Sequence, residues 1–133
     1  MKLFSLLCVL FLSSSLSAQE KSKAEQLAQQ QLDAYNKRDI DAFLAPYADS
    51  VAVYMYPNQL MYKGKETMRQ QYAGMFANTP DLFCRLQNRM VLANTVIDHE
   101  LVTFDKTKPP MQAIAVYTIS GDKIVAVRFI VPQ

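Results

Sequence analysis

Apolar residues recur at helical spacing over residues 19–37. Ala24, Leu27, Ala28, Leu32 and Tyr35 fall on one side among Glu, Lys and Gln, and Gln31 shares that side. Asn36-Lys37-Arg38-Asp39 breaks the pattern, and Asp39 is placed to cap a second helix over 40–45 that stops before Pro46. The period then changes. Residues 50–56 are β-branched and aromatic up to Pro57-Asn58, and a short strand follows over 60–62, ending at Gly64. A third helix is predicted over 65–76, with Met68, Tyr72, Met75 and Phe76 as its buried stripe. Four apolar-rich strands complete the chain at 82–92, 95–104, 111–119 and 123–131, joined by links short enough for antiparallel hairpins. The order predicts an α+β fold: a cone-shaped, curved, mostly antiparallel sheet packed against three helices of the N-terminal half and enclosing a pocket.

Strand alternation divides the polar residues between the two faces. With Ala93-Asn94 as a two-residue turn, Leu92 pairs with Thr95, Met90 with Ile97, Arg89 with Asp98 and Asn88 with His99. One face then carries Leu86, Asn88, Met90, Ile97, His99 and Leu101; the other carries Arg85, Gln87, Arg89, Asp98 and Glu100. The apolar set is expected inside, with Arg89 and Asp98 as an exposed cross-strand ion pair. On that reading His99, the one histidine of the chain, is the candidate catalytic acid or base beside Asn88. An exposed His99 would reverse the faces and move Asp98 and Glu100 inside.

Ligand contacts are expected from Gln31, Tyr54, Met55, Tyr56, Asn88 and Tyr117. Tyrosines offer a hydroxyl at a cavity rim, and methionine makes an adaptable apolar lining. Arg128 interrupts the apolar run IVAVRFIV and faces either the cavity or a partner subunit.

The N-terminus changes the compartment. Lys2, the apolar run LFSLLCVLFL and the small residues SSSLSA make a secretory signal peptide over 1–18, cleaved after Ser17 or Ala18, with a single domain over 19–133. The apolar run is 10 residues, against ~20 for a spanning helix, so no membrane span is expected and the product is placed in the periplasm or outside the cell. Cys84 alone survives processing, which leaves no intramolecular disulfide. The net charge of +2 is spread without a basic block, so nucleic acid is not an expected partner. A lone histidine and one mature cysteine make no zinc set, and Gly64, Gly74 and Gly121 make no phosphate loop. No metal or other cofactor is expected.

The stretches LDAYNKRDIDAFLAPYADSVAVYMYP, YKGKETMRQQY, VIDHE and KIVAVRFI resemble a SnoaL-like member of the nuclear transport factor 2-like superfamily, over about residues 24–131. The resemblance implies a homodimer formed through the sheet and a pocket for a small apolar or amphipathic molecule. The superfamily hosts both enzymes and pure binding proteins. Its ketosteroid isomerase relatives use a tyrosine where this chain has Gln31, a base where it has Met55 or Tyr56, and a second acid near Ala115. All three catalytic types are missing, and no aspartate–arginine–aspartate set like that of the epoxide hydrolase relatives matches on the inward face. Three readings remain: a small-molecule-binding domain, a cofactor-free lyase or isomerase using His99, or a structural dimer whose sheet face is the functional surface.

Overall fold

The computed structural model describes residues 18–133. Residues 1–17, which hold nearly all of the expected signal peptide, lie outside the described residues. Three helices precede the long strands: α1 (Lys23–Lys37), α2 (Ile40–Leu44) and, after the strands β1 (Tyr47–Met55) and β2 (Gln59–Lys63), α3 (Lys65–Asn78). The strands β3 (Phe83–Leu92), β4 (Thr95–Thr103), β5 (Met111–Ser120) and β6 (Lys123–Ile130) follow. Among the described residues no helix is long and apolar enough to cross a membrane.

Local chemistry sets the helix ends. Ser22 caps α1, its hydroxyl accepting from the Glu25 amide at 3.2 Å, and Arg38 closes the helix in the left-handed region. Asp39 caps α2 by accepting from the Ala42 amide at 3.1 Å. Before α3 the chain turns at Gly64, whose φ of +98° would strain any residue with a Cβ. Its amide donates to the Val51 carbonyl at 2.7 Å, tying the start of α3 to β1.

The six strands form one sheet in the order β2-β1-β6-β5-β4-β3. All neighbours are antiparallel except β1 and β6. The last strand returns beside the first, so the two ends of the fold meet in mid-sheet. The helices cover one face. Across them Tyr35 of α1, Phe43 of α2 and Tyr72 and Phe76 of α3 pack as tilted and edge-to-face rings 4.5–6.2 Å apart. Phe43 is 1% exposed, and truncating such a ring typically costs ~3–5 kcal/mol.

The hairpin register of β3 and β4 pairs Arg89 with Asp98 and Asn88 with His99. The faces, however, are the reverse of the expectation. Asp98 and Glu100 are buried at 0% and 6% exposure, between buried Val96 and Val102. His99, Ile97 and Leu101 take the outer face, only partly covered. A bulge at Gln87 also shifts the phase of β3. Beyond it Leu86 opposes Glu100 and Cys84 opposes Val102, so Cys84 and Leu86 point inward together with Arg89. No strict alternation along β3 could have produced that grouping.

Candidate functional site

Between α1, α3 and the inner face of the sheet lies a cavity of about 250 Å³. Its walls are mostly apolar, with Leu32, Phe43, Met75, Val102 and Phe129 among them. At one point this surface becomes polar, where Gln31, Tyr47, Glu100 and Tyr117 converge. Their hydrogen bonds run in one direction. Tyr47 donates to Gln31 Oε1 at 3.1 Å, Gln31 Nε2 donates to the Tyr117 hydroxyl at 3.0 Å, and Tyr117 donates to Glu100 Oε1 at 3.2 Å. The second Gln31 amide hydrogen goes to the Ala28 carbonyl at 3.0 Å. Each donor of this relay is therefore occupied, and the chain terminates on the carboxyl of Glu100. Glu100 Oε2 receives no hydrogen bond from an N–H or O–H among the described residues.

Burial pushes the Glu100 carboxyl up to about 7, and the nearby charge of Asp98 adds to the effect. The hydrogen bond from Tyr117, the Cys84 thiol and the Arg89 charge oppose it without cancelling it. The neighbouring acids are held protonated. Burial drives the phenols of Tyr35, Tyr47, Tyr72 and Tyr117 upward, and the Cys84 thiol with them. Near neutral pH, Glu100 is the group in this cavity poised between two protonation states.

Asp98, two positions along β4, is neutralised instead. Arg89 grips it with two bonds of 2.7 Å, from Nε to Oδ1 and from an amino nitrogen to Oδ2. The remaining amino group of Arg89 donates to Gln29 Oε1 of α1 at 2.8 Å. The expected ion pair is present, but buried under the helix rather than exposed. An inward carboxylate–arginine pair thus does exist, although neither partner lines the cavity.

Three of the expected ligand contacts, Gln31, Met55 and Tyr117, line the cavity, and four candidates do not. His99 stands on the outer face, its Nε2 2.9 Å from Gln112 Oε1 in a shallow groove with Ile114 and Ile130. Asn88, its cross-strand partner, is exposed on that face. Tyr54 also points outward, beneath the Arg128 guanidinium, whose carbon lies 4.6 Å from the ring centroid. Tyr56 is 61% exposed at the end of β1. Arg128 is therefore an outer-face residue, donating from Nε to the Pro57 carbonyl at 3.2 Å.

The physical cause of these corrections is common to all four. The outer face keeps a band of half-covered apolar side chains, so hydrophobicity alone does not mark the inside of this sheet. Tyr35 and Cys84 are not among the expected contacts, and Glu100 is expected inside only if His99 is exposed. One available signal was Gln31, a polar residue on the buried stripe of α1, which requires a polar partner on the sheet facing it. At the positions of the isomerase acids, Met55 lines the cavity and Ala115 is buried opposite Asp98. The cavity's carboxyl comes from β4.

Solved structures share this fold. A cystatin-fold protein from Novosphingobium aromaticivorans superposes with a TM-score of 0.73 at 28% identity, covering 84% of this chain and 99% of that one. A SnoaL-like protein from Burkholderia thailandensis gives 0.70 at 21% identity, covering 84% and 95%. An NTF2-like protein from Cytophaga hutchinsonii gives 0.70 at 13% identity, covering 88% and 95%. A search of curated proteins finds no match. The SnoaL-like domain profile aligns with residues 28–127, from the middle of α1 into β6. With most of its length inside that match, the chain belongs to the SnoaL-like domain family.

Proposed function

We propose that the chain is an exported small-molecule-binding domain whose cavity holds a largely apolar ligand against the carboxyl of Glu100. One observation carries the reading: an apolar cavity with a single polar end, at which the Glu100 carboxyl is buried without a counter-charge in the lining. Export rests on the segment 1–18, and fractionation of expressing cells tests it. A thermal-shift screen over apolar metabolites tests binding. Stabilisation by at least one class, lost when the cavity is filled by Ala113→Phe, is the expected result; no stabilisation by any class defeats the reading.

A second reading is favoured by the Glu100 carboxyl, raised to about 7 and fixed by Tyr117. A general base works best when its pKa lies near the operating pH. In a cofactor-free lyase or isomerase Glu100, not His99, would move the proton, with Tyr117 fixing its orientation. Turnover lost in Glu100→Gln and kept in His99→Ala supports this assignment; turnover kept in Glu100→Gln ends it.

The outer face of β4 and β5, with Ile97, Leu101, Ile114 and Val116 half-covered, is the surface we assign to a homodimer. Light scattering of the wild type beside Val116→Arg tests it. A monomeric wild type removes the assignment.

A further inference from the structure

The walls of the cavity suggest which apolar molecules it takes. Among the rings that line it are those of Tyr35, Phe43, Tyr47 and Tyr72. They form one cluster: Phe43 lies 4.5 Å from Tyr72, 5.3 Å from Tyr47 and 6.1 Å from Tyr35 between centroids. Among the described residues the lining contains one carboxyl, Glu100, and no lysine, arginine or histidine. The nearest cation, Arg89, is already committed to Asp98 by two bonds of 2.7 Å. Glu100, Asp98 and Arg89 together thus leave one uncompensated negative charge when Glu100 is ionised.

The hydrogen-bond inventory points the same way. Tyr47, Gln31 and Tyr117 spend their donors within the relay. A ligand anion would meet a carboxylate, with no counter-charge in the lining. A ligand cation would meet the Glu100 carboxylate, whose Oε1 accepts from the Tyr117 hydroxyl, and a cluster of aromatic rings, whose faces attract positive charge.

We propose that the cavity selects a small organic cation, an apolar body carrying one ammonium group, seated with its charge between Glu100 and the rings of Tyr35, Phe43, Tyr47 and Tyr72. The proposal rests on the reading that the cavity takes a small molecule, and it names the class of that molecule. The ammonium donates to Glu100 Oε2, while Tyr117 continues to donate to Oε1. Ion pairing compensates a carboxylate that burial otherwise disfavours, so the ligand supplies the cation that the fold withholds from this position and grants to Asp98.

Three ligands of nearly one shape test it: benzylamine, benzyl alcohol and benzoate. Each is titrated calorimetrically into the protein at about pH 8, above the value of about 7 to which burial raises Glu100. The expected result is benzylamine binding at least ~10-fold more tightly than benzyl alcohol, with benzoate weakest. Glu100→Gln should erase the preference for the amine while benzyl alcohol still binds. The comparison among ligands needs no variant, so it stands even if that substitution impairs folding. Benzyl alcohol binding as tightly as benzylamine would overturn the cation proposal and leave the small-molecule reading intact. Binding by none of the three would overturn both.

Discussion

Asp98 and Glu100 stand two residues apart on the inner face of β4, both buried, and Arg89 neutralises only the first. Arg89 locks Asp98 to β3 and, through Gln29, to α1. Glu100 faces an apolar cavity with a phenol on one oxygen. Neighbouring carboxyls on one strand thereby differ in setting, one anchoring the helix to the sheet and one facing the cavity without a counter-charge.

Glu100 makes stability depend on pH in a direction unusual for a carboxylate. Its folded pKa of about 7 lies above its ordinary 4.5. Between those values the native state holds the proton more tightly than the unfolded chain, so its contribution falls as pH rises through that window. The full effect is about 3 kcal/mol. Urea denaturation of Glu100→Gln should match the wild type near pH 5 and exceed it by ~2–3 kcal/mol near pH 8. Parallel pH profiles for the two proteins would contradict the burial argument.

Removing the cation from Asp98 should be severe. Arg89→Met leaves a carboxyl with 0% exposure and no counter-charge, for which a loss of roughly 3–5 kcal/mol is expected. The double variant Arg89→Met with Asp98→Leu should recover most of that loss, since no charge is then left buried. Chemical denaturation of the three proteins measures both quantities. Equal losses in the single and double variants would show that packing of the Arg89 stem, and not charge, holds the hairpin to α1.

Tyr117→Phe cuts the relay at its centre. Gln31 loses an acceptor and Glu100 its phenolic donor, at a cost of ~1–2 kcal/mol. Because that donor favours the ionised carboxyl, the Glu100 titration should move upward from about 7. Carbon-detected NMR of labelled glutamate follows the midpoint, and a downward movement would show that the bond is not formed to the carboxylate.

His99→Ala should leave ligand affinity in the cavity within ~2-fold and stability within ~1 kcal/mol. The ring touches Gln112 on the outer face and no cavity wall. A large loss of affinity would mean that ligand binds in the outer groove instead.

Much of the fold could be read from periodicity. The three helices, the six strands and the β3–β4 register follow from apolar spacing and from the Ala93-Asn94 turn. The side of the sheet facing the helices did not follow. Ile97 and Leu101 were assigned inward for their hydrophobicity, yet they share the outer face with His99. Asp98 was assigned outward for its charge, yet it is buried, because Arg89 compensates that charge with two hydrogen bonds. Gln31 and Tyr117 were legible as cavity-lining residues because each puts a polar group on an apolar side. Glu100 was obscured by the same alternation that misplaced His99. Tyr35 reaches the cavity from the helical stripe it shares with Gln31, whereas Cys84 reaches it through the register shift at Gln87, which local spacing does not encode.

Gln87 has no partner across the hairpin, and that small irregularity separates β3 into two independently phased segments. Toward the turn, the strand presents Arg89 as the clasp for α1; toward its start, it presents Cys84 and Leu86 to the cavity side. A residue lost or gained at this joint would invert one segment and spare the other. The hairpin therefore works like a coupling with a built-in offset, through which mutation could refit the cavity while the clasp stays in place, or rebuild the clasp without disturbing the cavity.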